Sequence, residues 1–215
     1  MGTPDFSVPV LEALIENTNV IAVVTQPDKV VGRKNEIVFS PIKKLAIEKN
    51  ILVLQPVKIR KDFQNIIDLN PDLIVTCAYG QIIPKAILDC PSYGCINVHA
   101  SLLPYLRGGA PIHHAIIDGY EKTGVTIMYM DEKMDEGDII SQCETAITDD
   151  DTTEMLHDRL SLMGQRLLLE TLPSIFAKTN SRIKQDNLKA TYGYNISRSD
   201  EKIDFNKNRR EIFNQ

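Results

Sequence analysis

Long apolar runs, tryptophan, low-complexity tracts and closely spaced cysteine pairs are all missing from this sequence. No hydrophobic stretch approaches the roughly 18 residues of a membrane span, and the N-terminus lacks the charged and apolar regions of a signal peptide. These absences predict a cytoplasmic protein with no membrane partner. The four cysteines, Cys77, Cys90, Cys95 and Cys143, show no CxxC spacing. Buried, reduced thiols are therefore expected, and no zinc site. Three ligand or nucleophile motifs are absent too. Without GxGxxG the chain is no obvious dinucleotide binder, without GxxxxGK(S/T) it is not a P-loop enzyme, and without GxSxG it has no nucleophile elbow. Positive charge is also short: the net charge of −5 argues against the chain as a whole being a nucleic-acid binder. Its distribution is uneven, however. Residues 26–50 hold six Lys or Arg against three acids, and residues 176–215 hold nine against five.

What is present alternates between strand and helix. "VIAVVT" (20–25), "LIVTCA" (73–78) and "CINV" (95–98) are short apolar runs rich in β-branched residues, as buried parallel strands should be. Between them, Val8, Leu11 and Ile15 share a helical face, and Pro41 and Pro111 each open a helix, the second stopped by Gly119. This order predicts βαβ units and an α/β, doubly wound, Rossmann-like and mostly parallel sheet. Ligands of such sheets bind beyond the carboxyl ends of the strands. From Gly124 the pattern changes to two longer strands, "GVTIMYMD" and "DIISQCETAIT", expected to pair antiparallel at the sheet edge. Asp151 with Glu154 resembles a capping box, and Leu156, Leu160, Met163 and Leu167 then form the apolar stripe of a long helix. After about residue 180 the periodicity fades into a polar stretch that reads as a linker.

Asn97 and His99 lie at the carboxyl end of the third strand, two residues apart, so both side chains point to the same side. Histidine can take and return a proton near neutral pH, and an asparagine amide can donate a hydrogen bond to a developing oxyanion without titrating. Together they fit acyl transfer by direct attack of a substrate nucleophile. His113 and His114 are adjacent on a helix, where side chains diverge by about 100°, so they do not share a metal ion.

These residues carry a resemblance. "NVHASLLPYLRGGAP" resembles the signature of the folate-dependent formyltransferases, and "GVTIMYMDEKMDEGDII" resembles their second motif, an Asp followed two residues on by Gly. "GTPDFSVPVLEAL", "VTQPDK", "SPIK", "LQP", "AYGQIIPKAIL" and "TYGYNISRSDEKIDF" narrow the resemblance, over nearly the whole chain, to the branch that formylates methionyl-tRNA. It implies Asn97, His99 and Asp135 as a catalytic trio. It also implies a folate site built from Ala78, Tyr79, Gly80, Gln81 and Ile82, from Ser101, Leu102, Leu103 and Pro104, and from Glu136, Gly137 and Asp138. Arg33 and Lys34 occupy positions expected to meet tRNA. The implied co-substrate is 10-formyltetrahydrofolate, with no metal; the implied acceptor is initiator methionyl-tRNA, and a monomer is expected. The implied organisation is a catalytic domain over residues 1–189 whose first strand would precede Gly2. Residues 190–215 are then a linker and the approach to a basic carboxy-terminal β-barrel.

Overall fold

The computed structural model describes residues 1–32 and 36–215. Its first helix, α1 (Val8–Asn17), leads into β1 (Ala22–Val24), which pairs in parallel with β4 (Leu52–Leu54). Between these two strands come an exposed antiparallel hairpin, β2 (Lys29–Val31) with β3 (Glu36–Val38), and helix α2 (Pro41–Glu48). Proline suits the first turn of α2 because its missing N–H has no intrahelical partner there anyway. The Ser40 side chain accepts from the Lys43 amide and so caps the helix.

Short helices α3 (Gln64–Ile67) and α4 (Lys85–Leu88) flank β5 (Ile74–Thr76), which is parallel to β6 (Cys95–His99). After α5 (Pro111–Ile117), the sheet is completed by β7 (Lys122–Tyr129), antiparallel to β6, and by β8 (Ile139–Ala146), antiparallel to β7. The antiparallel edge expected from the sequence is thus present. Residues 1 and 2 run between β1 and β5 and join the two parallel pairs. The Gly2 amide donates to the Val24 carbonyl at 3.0 Å, and the Cys77 amide donates to the Met1 carbonyl at 2.9 Å.

Helix α6 (Thr153–Phe176) covers one face of the sheet. Its Leu156, Leu160, Leu168 and Ile175 are essentially inaccessible to solvent and pack with Ile96, Val98, Val125 and Ile127 of the strands. The helix begins one residue later than the sequence pattern suggests. Thr152, not Asp151, is its cap and accepts from the Met155 amide. Asp151 instead accepts from the Thr148 amide and hydroxyl and pairs with Arg159. A carboxylate so engaged has no free oxygen directed at the helix start, and the neighbouring hydroxyl takes over. A final helix, α7 (Arg209–Asn214), is closed by a capping box between Asn208 and Glu211.

The polar stretch after residue 180 is more than a tether. Ile183 and Ile139 exchange both backbone hydrogen bonds, at 2.8 and 2.9 Å, while Thr191 and Gly193 bond the main chain of Arg107. All four cysteines are free, with Cys77 and Cys95 buried. Burial pushes both of those thiols up to about 12, where they are inert. Among the described residues, no helix is long and apolar enough to cross a membrane.

At Gly164, α6 packs directly on Val98 of β6. A Cβ placed there would lie 2.9 Å from Cγ1 of Val98. Gly164→Leu should therefore lower stability by about 1–3 kcal/mol through overpacking, despite the better helix propensity of leucine. Urea unfolding of the two proteins measures this; an unchanged midpoint would mean that the helix can step back from the sheet at no cost.

Candidate active site

Strand β6 sets the site by alternation. Ile96 and Val98 face α6, so Asn97 and His99 must leave the strand on the other side. Asn97 Oδ1 accepts from the Thr76 hydroxyl of neighbouring β5 at 2.8 Å. This contact orients the amide, and its NH2 has no partner among the described residues, which leaves it able to donate to a ligand.

His99 is only 6% exposed. Its Nε2 lies 3.0 Å from the Leu106 carbonyl oxygen, and a carbonyl can only accept. Nε2 therefore carries the hydrogen, and the lone pair of the neutral ring sits on Nδ1. Nδ1 is 3.7 Å from Asp135 Oδ2, too far for a hydrogen bond but within the reach of an ion pair. The same Asp135 oxygen accepts from the Gly108 amide at 2.8 Å. Asn97, His99 and Asp135, picked out in the sequence, thus meet at the carboxyl end of β6.

The other expected site segments follow the carboxyl ends of β5 and β6 and adjoin Asp135 in the chain. Residues 78–82 continue from β5, with Ala78, Gly80 and Ile82 exposed and the Tyr79 ring buried in the core. Ala78 and Gly80 both have left-handed backbone, at φ 48° and 83°. Gln81 is occupied with its neighbours: it accepts from the Ile59 amide and donates to Gln26 and to the Pro56 carbonyl. The 101–104 turn, with a cis Leu103–Pro104 bond, is clamped by Thr126 and Gln142. The Ser101 hydroxyl is spent on the Tyr105 carbonyl, and Leu103 is buried against Met128 and Ile139, while Leu102 is half-buried. Glu136 lies by Arg107 and Lys133, and Asp138 by Arg182.

Arg33 and Lys34 lie outside the described residues. His114 is structural, bonded to Asp118 and to the Tyr194 carbonyl. Among the described residues no group of three His, Cys, Asp or Glu side chains comes together as a metal site. Two cavities, one of 390 Å³ between β1 and β5 and one of 580 Å³ beside Tyr93, Tyr129 and Arg182, include none of the trio.

Sequence reasoning missed the supports. Thr76, Leu106, Arg107, Gly108 and Gln185 were not singled out. Thr76 is a polar residue inside an apolar run, and Leu106, Arg107 and Gly108 lie within the motif "NVHASLLPYLRGGAP"; Gln185 carries no signal in the sequence.

A mixed α/β sheet with Asn and His at the end of one strand, and a carboxylate behind the imidazole, defines a class, and the Formyl transferase family model matches residues 1–172. Among solved structures, the phosphoribosylglycinamide formyltransferase from Bacillus halodurans aligns at TM-score 0.68 and 25% identity, over 82% of this chain and 93% of that one. The N-formyltransferase from Helicobacter canadensis, in complex with folinic acid and dTDP-3-aminofucose, shares the fold at TM-score 0.73 and 22% identity, over 99% and 76%. Closer relatives are the methionyl-tRNA formyltransferases of Geobacillus sp. (strain WCH70), 59% identical, and Bacillus subtilis (strain 168), 54% identical. Each alignment covers 100% of this chain, and 68% and 69% of those relatives. The chain belongs to the methionyl-tRNA formyltransferase family, whose members are formyl-transferring enzymes.

The turn at Gly137 leaves no room for a side chain, since an added Cβ would collide with the Tyr129 carbonyl oxygen. Gly137→Ala should therefore displace the 135–138 loop and cut turnover by about 10²-fold, the scale of an ångström-level misplacement. Steady-state kinetics beside a melting curve will show it. Parent turnover in that variant would mean that the loop's position is immaterial.

Proposed function

We propose that the chain transfers the formyl group of 10-formyltetrahydrofolate to the α-amino group of initiator methionyl-tRNA, the reaction with which translation begins. The observation that carries this reading is the direction of His99. With Nε2 committed to the Leu106 carbonyl, Nδ1 is the one ring nitrogen free to take a proton, and Asp135 stands behind it.

The acceptor amine must be neutral to attack. Aminoacyl esters have weakly basic amines, and a free α-amine titrates at about 7.7 to 8.0, so the neutral form is accessible near neutrality. The donor supplies an electrophilic formyl carbon on an amine nitrogen. As the amine nitrogen bonds to that carbon, its carbonyl oxygen gains negative charge, and the Asn97 NH2 donates to it. His99 Nδ1 takes the proton that the attacking nitrogen must lose, and Asp135 stabilises the resulting imidazolium. His99 then returns the proton to the departing folate nitrogen as the old carbon–nitrogen bond breaks. The proton count closes within the site, with no covalent enzyme intermediate.

The folate ring is held by main-chain groups of residues 78–82, by the 101–104 turn and by residues 136–138. Arg33 and Lys34, in the segment joining β2 to β3, meet the acceptor end of the tRNA. Basic side chains suit phosphate contacts.

Replacing a general acid–base or its charge partner should cost about 10²- to 10⁴-fold, so His99→Ala and Asp135→Asn are expected to lower kcat by that range with folate affinity little changed. Asn97→Ala should lose about 10²- to 10³-fold through the oxyanion. The measurement is transfer of a labelled formyl group to methionyl-tRNA. Transfer at the parent rate by the His99 variant would remove this mechanism.

Arg33→Ala tests the RNA side separately. KM for methionyl-tRNA should rise, and its salt dependence become shallower by about one phosphate contact, while KM for the folate stays put. Equal changes in both KM values would mean that Arg33 supports the fold instead.

A further inference from the structure

Gln185 lies beyond the residues matched by the family model, in the segment after α6 and 50 positions from Asp135 in the loop it touches. Its side-chain amide is engaged at both ends. Nε2 donates to the carbonyl oxygens of Asp135 and Gly137, each at 2.8 Å. Oε1 accepts from Arg107, at 3.1 Å from Nε and 2.8 Å from Nη2. Arg107 is 1% exposed, donates also to Asn187 Oδ1, and lies 3.6 Å from Glu136. A buried guanidinium has no acceptor capacity, so it fixes the amide with its oxygen inward and its NH2 toward the loop.

The loop needs such a hold. Asp135 has φ 54°, the left-handed region that disfavours any residue with a Cβ and persists only where neighbours enforce it. The Gly108 amide holds its carboxylate; Gln185 holds its main chain. The segment carrying Gln185 is itself fixed, through Ile183 on β8 and through Thr191 and Gly193 on Arg107.

We propose that Gln185 is a positioning residue of formyl transfer: by bridging the Asp135 and Gly137 carbonyls it maintains the turn that keeps the Asp135 carboxylate beside His99. The proposal rests on the reading of Asp135 and His99 as a working pair. Gln185 acts on the chemical step by placing the Asp135 carboxylate, so its effect on kcat vanishes once that carboxylate is gone.

The test is a double-mutant cycle in the formyl-transfer assay. In Gln185→Ala, kcat should fall about 10- to 100-fold, the cost of a misplaced group, with KM for methionyl-tRNA within about twofold of the parent. Placed on Asp135→Asn, the same substitution should lower kcat by less than about twofold more, because coupled sites are not additive. Gln185→Glu controls for packing. It keeps the volume and the acceptor for Arg107 but turns an oxygen toward two carbonyl oxygens, and the same fall in kcat is expected. Multiplicative losses in the double variant, or parent kcat in both Gln185 variants, overturn the positioning role. Parent kcat in Asp135→Asn alone is the distinct result that overturns the reading of the pair, and this proposal with it.

Discussion

Ile96 and Val98 of β6 are clamped against α6, and Gly164 lets the helix approach near enough to make that clamp tight. Successive side chains of a strand leave on opposite faces, so burying those two residues obliges Asn97 and His99 to share the other face. A register slip of one residue would turn the amide and imidazole toward α6 and the two apolar side chains toward the site. The hydrophobic packing of one face thereby fixes the chemistry of the other. Neither Asn97 nor His99 needs a special backbone to reach the site, and their precision is that of the sheet.

The opposite wall is built on a turn rather than on regular structure. Three consecutive residues carry it: the Leu106 carbonyl fixes the His99 tautomer, the Arg107 side chain orients Gln185, and the Gly108 amide binds the Asp135 carboxylate. Leu106 and Gly108 both adopt left-handed backbone, at φ 55° and 113°. A turn in which successive residues direct a carbonyl, a side chain and an amide to three targets cannot be helix or strand. Burying Arg107 beneath it is costly, and the acceptors of Gln185 and Asn187, with Glu136 nearby, offset that cost.

A second network joins segments that the sequence shows only as separate short motifs. Lys43 donates to Asp28 at 2.6 Å and to Gln55 at 2.8 Å; Gln55 reaches the Gln26 carbonyl; and Gln26 bonds both Gln81 and the Tyr79 carbonyl. The hydrogen bonds from Lys43 and Gln55 hold the Asp28 carboxyl below its usual range. Through these contacts the base of the β2–β3 hairpin, the start of α2 and the 78–82 segment share one polar scaffold. The motif "VTQPDK" supplies two of these side chains, Gln26 and Asp28, while Lys43, Gln55 and Gln81 come one each from the other three.

The sequence by itself determined what depends on short-range order. Apolar runs of β-branched residues marked β1, β5 and β6, proline marked the starts of α2 and α5, and the two-residue spacing of Asn97 and His99 put them on one face. It also carried the motif containing Asp135, although only the fold brings that carboxylate to within 3.7 Å of the imidazole. Tertiary structure alone decided the rest. Asp151 is the cap on paper, and its pairing with Arg159 leaves that place to Thr152. The stretch between residue 180 and α7 has no periodicity because, apart from one 3-10 turn at Asn187–Lys189, it forms no regular element. Its residues are bound one by one to β8, to the 104–110 turn and to the Asp135 loop. A glutamine amide has no sequence signature of its own; its role exists only where folding supplies a buried guanidinium on one side and two carbonyl oxygens on the other.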